Sequence, residues 1–162
     1  MSKFTHLHCH SSYSLLESTI RIKGLIETCK EKEMNSVALT DNGVMYGAID
    51  FYLAARKADV KPIIGCEMYL AKDISVKERG LDRLIVLSKD YEGYQNLISL
   101  VSVACLDGFY YRPRIDYAHL QKYSRGLIAI SPGMNGPIAY NIRSHRQEEA
   151  KQHADKIVEI FQ

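Results

Sequence analysis

Hydrophobic residues recur along the chain at two spacings, one typical of strands and one typical of helices. Short apolar runs predict strands at residues 36–40, 62–70, 84–87 and 126–131. Apolar residues three or four positions apart predict helices at about 20–33, 48–58, 90–108 and 144–161. Strands and helices therefore alternate, which predicts an α/β fold of parallel strands joined by helical crossovers.

Local signals indicate where some of these elements begin and which residues they bury. Ser18 or Thr19 can cap the first helix, and a Ser-x-x-Gln box at residues 144–147 can cap the last. Leu53 is expected on the buried stripe of the second helix. The run at 84–87 is too apolar to be half exposed, which favours a strand of a parallel sheet covered on both faces.

The most unusual stretch of the chain lies at its start, where His6, His8 and His10 are each separated by one residue. Side chains alternate across an extended strand, so the three imidazoles are expected on one face. Imidazole is the commonest metal ligand in proteins, so the pattern favours a metal site. An expression tag and a surface strand with incidental histidines are the two alternatives.

Other polar residues occur where the predicted strands end. Asp41 and Asn42 follow the strand at 36–40, and Glu67 lies within an otherwise apolar strand. A buried carboxylate without a partner costs several kcal/mol, so Glu67 must be paired, ligated or directed into a cleft. Because functional groups of α/β folds gather at the carboxyl ends of strands, we expect these side chains in one cleft. The neighbouring Cys66 is a thiolate ligand or, more simply, a small packed residue.

Composition places the chain among ordinary globular domains. It has 162 residues, 46% hydrophobic and 25% charged, with a formal net charge of +2. This charge neither requires nor excludes a nucleic-acid partner. An aromatic and basic stretch around residues 110–114 supports the hypothesis of a nucleic-acid-binding module, against the alternative of a solvated or packed face. That module would use Arg112, Arg114, Lys122, Arg125 and the tyrosine pair.

The cysteines and the lack of long apolar runs bear on location. The four cysteines lie far apart with no Cys-x-x-Cys pair, and the start of the chain lacks a secretory pattern. No apolar run approaches the roughly 18 residues needed to span a bilayer. We therefore expect reduced thiols, a cytoplasmic location and no membrane contact.

Several separate blocks of sequence extend over nearly the whole chain. They are HLHCHSSYSLL at 6–16, ALTD at 38–41 with YGA at 46–48, KPIIGCE at 61–67, GYQNL at 93–97 and GFYYRPRID at 108–116. Together, and in this order, these blocks resemble the N-terminal PHP (polymerase and histidinol phosphatase) domain of bacterial DNA polymerase III alpha subunits.

This resemblance implies a distorted β/α barrel, of which residues 1–162 would hold the N-terminal part without its last strands and without the polymerase domains. In active relatives the cleft binds up to three divalent metals and hydrolyses phosphoesters. The implied parent protein carries out DNA-directed DNA synthesis in chromosome replication. Its implied partners are the remaining domains of the alpha subunit, DNA and a separate proofreading exonuclease subunit.

The resemblance also implies positions for the metal ligands. His8 and His10 match the first ligand pair, Glu67 matches the bridging carboxylate, and Glu17 lies where an Asp ligand is usual. Three other ligand positions are substituted, by Asn42, Arg83 and Gly133. A final Asp-x-His pair would lie beyond residue 162.

These departures lead to two functional hypotheses. In the first, the metal site is degenerate and the domain has a scaffolding role, with Arg83 paired to Glu67 or Glu17 in place of a metal cluster. No metal is then expected to be bound. In the second, a divalent metal such as zinc, manganese or magnesium occupies a partial site, and the domain is an active phosphoesterase acting in proofreading or pyrophosphate removal.

Overall fold

The alternation of strand and helix predicted from periodicity is confirmed by a computed structural model, which describes residues 4–161. The strands are β1 Ser36–Leu39, β2 Lys61–Leu70, β3 Asp82–Ser88, β4 Arg114–Ile115 and β5 Leu127–Ile130. The α-helices are α1 Ile22–Glu31, α2 Ala48–Lys57, α3 Tyr91–Leu106, α4 Tyr117–Tyr123, α5 Pro137–Arg143 and α6 Gln147–Ile160, with a 3-10 turn at Gly133–Asn135. No described helix is both long and apolar enough to cross a membrane.

The strand order is β1-β2-β3-β5, and β4 pairs with the far end of β2. The prediction of an entirely parallel sheet was wrong, because β3 runs antiparallel to both β2 and β5. The connection between β2 and β3, at residues 71–81, contains no helix, so the chain returns without a crossover. The start of β3 therefore lies beside the end of β2, with Arg83 opposite Tyr69.

The N-terminal segment lies along the free edge of β1, where its residues from Phe4 onward form a single ladder bridge, between His6 and Val37. Further along, the amide of Cys9 donates to the Thr40 hydroxyl at 3.0 Å instead of to a backbone carbonyl. The hydroxyl thus interrupts the ladder, so the expected strand is an extended segment. This segment still holds the histidines at the end of the sheet where β1 and β2 terminate.

Two helix ends differ from the predictions, and a short helix appears where none was predicted. The Ser18 hydroxyl donates to the carbonyl of His10 at 2.8 Å, and α1 begins after Arg21 without a side-chain cap. The Ser144 box is not formed either, since α6 begins after Arg146. Helix α5, with Pro137 in its first turn, has too few periodic positions to be predicted from its sequence.

Two apolar clusters hold the helices against the sheet. Helices α3 and α4 pack Leu97, Leu100 and Leu120 over the part of the sheet formed by β2 and β3. The other cluster joins α1 and α2 to β1; its buried members are Ile26, Cys29, Val37, Leu39, Phe51, Ala55 and Val60. Leu53, predicted to be buried, is 60% exposed. Ala55 occupies the buried face of α2 in its place.

A groove of about 740 Å³ is left open where the amino end of β2 and the carboxyl end of β3 meet. Ile63, Leu87 and Ile130 contribute apolar side chains to it. Within residues 4–161 the ladder ends at β5, so the sheet does not close into a barrel. This open, mixed sheet agrees with the expectation of an incomplete β/α barrel.

Candidate metal centre

Glu67 is the residue around which the candidate site is built. It lies on β2 between β1 and β3, and its side chain is only 3% exposed. It lies beside Asn42, with which it forms a parallel bridge just beyond β1. A carboxylate buried to this degree needs several hydrogen bonds or charges around it.

One carboxylate oxygen of Glu67 is hydrogen-bonded to both His8 and His10. His8 Nε2 lies 2.6 Å and His10 Nε2 lies 2.7 Å from Glu67 Oε2, and the two ring nitrogens are 3.2 Å apart. The amide nitrogen of Asn42 lies 3.5 Å from His10 Nδ1, which favours a His10 tautomer with its proton on Nε2. The expected convergence of His8, His10 and Glu67 therefore occurs.

The other oxygen of Glu67 faces Arg83. The guanidinium Nη1 lies 3.1 Å from Glu67 Oε1, 3.3 Å from Asn42 Oδ1 and 3.5 Å from Glu17 Oε2. Glu17 also accepts a 2.7 Å hydrogen bond from the Asn42 amide. Arg83 reaches this position because β3 is antiparallel to β2, which brings the start of β3 to the end of β2.

These contacts hold both members of the central pair in their charged forms. Burial alone would raise the pKa of Glu67, but hydrogen bonds from His10, His8 and Arg83 lower that pKa to about 2. Burial works against the charge of Arg83, yet the Glu67 carboxylate raises the pKa of Arg83 above its usual value. The centre is therefore an ion pair between Glu67 and Arg83, with two imidazoles hydrogen-bonded to the carboxylate.

Asp41, which sequence reasoning placed in the cleft, has a different position. Its buried carboxylate accepts hydrogen bonds from the Ser11 amide at 2.6 Å and from the Ser11 and Ser14 hydroxyls, each at 2.7 Å. The Ser14 hydroxyl also accepts from the backbone amide of Asn42 at 3.1 Å. Asp41 thus anchors the loop that carries Glu17. The serines next to His10 were the available signal for this role.

Residues 6–162 match the sequence model of the family described as PHP domain. The chain belongs to the PHP domain family. The recognition made from the sequence blocks is thereby confirmed.

Named relatives of this PHP domain are parts of much longer proteins. The DNA polymerase III subunit alpha of Borreliella burgdorferi is 47% identical over 156 residues, which cover 93% of this chain and 14% of that protein. The DNA polymerase III subunit alpha of Helicobacter pylori is 41% identical over 172 residues, covering 98% of this chain and 14% of that protein. The PHP domain therefore spans about one seventh of the relatives it matches.

Among solved structures, an amidohydrolase from Chromobacterium violaceum resembles this PHP domain at a TM-score of 0.48 and 19% identity. The similar region covers 62% of this chain and 32% of that protein.

The donor set of this PHP domain suits one divalent cation better than a cluster. His8, His10 and Glu67 offer ligand atoms that all lie within 4.8 Å of one another. Two imidazoles and one carboxylate are a common ligand set for zinc. Arg83 brings a positive charge and no lone pair to the same centre, which opposes a second or third cation.

The remaining candidate ligands do not add to this set. Glu17 interacts with Asn42 and Arg83 and lies outside the group of three converging donors. His6 packs its ring against Phe4, with centroids 4.7 Å apart. Gly133 has no side-chain donor and opens the 3-10 turn. The buried Cys66 thiol donates to the Asp41 carbonyl at 3.2 Å, and burial raises its pKa, so it is a packed structural thiol.

The basic residues proposed for nucleic-acid binding do not form one surface. Arg114 is 2% exposed and donates only to backbone carbonyls. Arg125 pairs with Glu92 at 3.1 Å, and Lys122 lies over the Tyr123 ring. Arg112 alone of the four lies near the candidate site, with its guanidinium 5.5 Å from the centroid of the Tyr69 ring.

Proposed function

We propose that this chain is the PHP segment of a replicative DNA polymerase III alpha subunit, with DNA-directed DNA synthesis carried out by the rest of that protein. Support comes from relatives of that name that are 47% and 41% identical over almost the whole chain. The partners of the segment would be the other domains of the alpha subunit and a proofreading exonuclease subunit, with DNA reached through the parent polymerase.

Within this protein, the segment would act as a scaffold whose former metal centre is an ion pair. This proposal depends on one observation: Glu67 Oε2 is hydrogen-bonded to His8 and His10, and Glu67 Oε1 is hydrogen-bonded to Arg83. A guanidinium stays protonated in proteins and cannot ligate a metal. It supplies in the cleft the positive charge that a cation supplies in active relatives. Arg83 thereby joins the start of β3 to β2 and, through Glu17, to the N-terminal loop.

A second candidate function is an active phosphoesterase with a divalent metal at a partial site. The three converging donors favour this alternative, since His8, His10 and Glu67 would hold the metal. A metal there would polarise a phosphoryl oxygen and acidify a bound water. The chain itself would contribute Arg83, which can orient an anionic phosphoryl group, beside an open cleft of about 750 Å³.

Metal content separates the two candidates. We expect protein purified without chelator to contain well under one equivalent of zinc, manganese or iron, because Arg83 neutralises Glu67 without a cation. Plasma mass spectrometry measures the content, and hydrolysis of a generic phosphoester, with and without chelator, tests activity. One or more equivalents of metal together with chelator-sensitive hydrolysis would establish the phosphoesterase and exclude the scaffold.

A further inference from the structure

A rigid, solvent-facing loop lies next to the ion-paired centre and takes no part in it. At its tip the Tyr110 amide donates to the Arg112 carbonyl at 3.1 Å, which closes the chain around Tyr111. Tyr111 adopts φ +59° and is 62% exposed. A left-handed backbone at a bulky residue is strained, and such strain often occurs at functional sites. The loop thus presents an aromatic ring to solvent.

The rigidity of this loop comes from Arg114, which is 2% exposed. Its Nε donates to the Gly108 carbonyl at 2.8 Å, Nη1 to Val76 at 2.8 Å and Nη2 to Ile74 at 2.9 Å. The guanidinium therefore ties the loop at 108–113 to the excursion at 71–81. Two connections that are distant in sequence become one surface.

We define the aromatic–cationic platform as Arg79, Phe109, Tyr111 and Arg112. The guanidinium of Arg79 lies 4.0 Å from the centroid of the Tyr111 ring. Phe109 and Tyr111 are each 62% exposed, and Arg112 is exposed as well. No carboxylate within residues 4–161 lies within ion-pair distance of Arg79 or Arg112.

The acidic residues of the excursion at 71–81 accept hydrogen bonds from backbone amides of the same segment. Glu78 Oε1 accepts from the Lys72 amide at 3.4 Å, and Asp73 Oδ1 accepts from the Ser75 amide at 2.8 Å. Their charges are thus partly satisfied within the loop. The platform keeps unpaired positive charge beside exposed aromatic rings.

We propose that the aromatic–cationic platform binds single-stranded nucleic acid. Arg79 covers one face of Tyr111, so an unpaired base would stack on the exposed remainder of that ring or on Phe109. Guanidinium groups without a carboxylate partner attract the phosphate backbone. The platform also continues toward the ion-paired centre, because Arg112 and Arg83 lie 5.5 Å and 5.2 Å from the centroid of the same Tyr69 ring. A strand stacked on Tyr111 would therefore pass close to the cleft. This inference holds whichever candidate function is correct.

Fluorescence anisotropy of a labelled 15-nucleotide oligothymidine with the whole 162-residue chain tests the proposal. Tyr111→Asn removes the ring while asparagine tolerates the left-handed backbone. We expect this variant to bind about tenfold more weakly, in line with the usual contribution of one stacked base. Arg112→Gln is expected to lower the slope of log affinity against log salt by about 0.7, the value for one phosphate contact on a single strand.

Arg125→Gln is the matched control for charge. Arg125 precedes β5, whose Leu127 pairs with Ser88 at the carboxyl end of β3, whereas the platform adjoins the amino end of β3 at Asp82. Those two ends of β3 are about 20 Å apart. Arg125→Gln should leave both affinity and salt slope unchanged, and circular dichroism should show every variant folded.

Three outcomes would overturn the proposal. The first is no detectable binding at low salt, and the second is an equal loss for Arg125→Gln and Arg112→Gln, which would indicate attraction by net charge alone. The third is a preference for a polyglutamate peptide or for duplex DNA over oligothymidine. That result would assign the surface to an acidic protein or to a double helix instead.

Discussion

Replacement of Glu67 by glutamine is expected to lower the free energy of unfolding by about 3 kcal/mol. The substitution keeps the shape of the side chain but removes the charge that balances Arg83. Removing the buried partner leaves Arg83 with only the more exposed Glu17, at 3.5 Å, to balance its charge. The new amide would also direct N–H groups at Arg83 or at the two imidazoles, which already supply donors.

Urea unfolding followed by circular dichroism, in the presence of chelator, measures this effect without any contribution from metal. Glu17→Gln is the matched control, because Glu17 also lies near Arg83 but its side chain is 30% exposed. We expect this control to lose less than about 1 kcal/mol.

A double-mutant cycle then tests the pairing directly. Combined Glu67→Gln and Arg83→Gln substitutions should cost less than the sum of the two single changes, by about 1 to 3 kcal/mol. Additive losses, or an equal loss for Glu17→Gln and Glu67→Gln, would show that Arg83 does not replace a cation at Glu67. The scaffold proposal would then lose its physical basis.

Local patterns predicted most of the elements, whereas the direction of β3 depends on how the chain returns from β2 and pairs with it. The run at 84–87 is equally apolar in a parallel or an antiparallel strand, so its composition carries no direction. The missing helix between β2 and β3 was the relevant signal, because a parallel return needs a crossover. The same pairing then decides the site, since only an antiparallel β3 brings Arg83 to Glu67.

The candidate site was predictable where the residue type is unusual for its position. Glu67 interrupts an apolar strand, and the alternating histidines share a spacing, so their convergence could be expected from sequence. The role of Asp41 was missed: Ser11 and Ser14 were a signal for it, but they lie in a loop whose path no periodicity predicts. Position on a strand end indicated the right region of the molecule but not the contacts made there.

Replacement of Arg114 by alanine is expected to lower the free energy of unfolding by at least about 3 kcal/mol. The burial of this residue could not be predicted from the sequence. An arginine is rarely buried without an acidic partner, so the sequence predicted that the side chain of Arg114 is exposed. Burial is possible here because backbone carbonyls from two connections surround the guanidinium. Alanine would leave the carbonyls of Gly108, Val76 and Ile74 without their donor and would leave a cavity where the long side chain lay.

The neighbouring Arg112→Ala is the matched control and should change the free energy of unfolding by no more than about 0.5 kcal/mol, because Arg112 is exposed. Arg114→Lys should fall between them, since an ammonium donates from one nitrogen, whereas the guanidinium reaches the three carbonyls from Nε, Nη1 and Nη2. Equal stability of the Arg114 and Arg112 variants in urea unfolding would show that Arg114 does not hold the two connections together.

If Arg114 does hold them, Arg114→Lys should bind oligothymidine more weakly than the wild-type chain, because Arg79 and Tyr111 would no longer be held in contact. This binding is measured under conditions in which the variant is still folded.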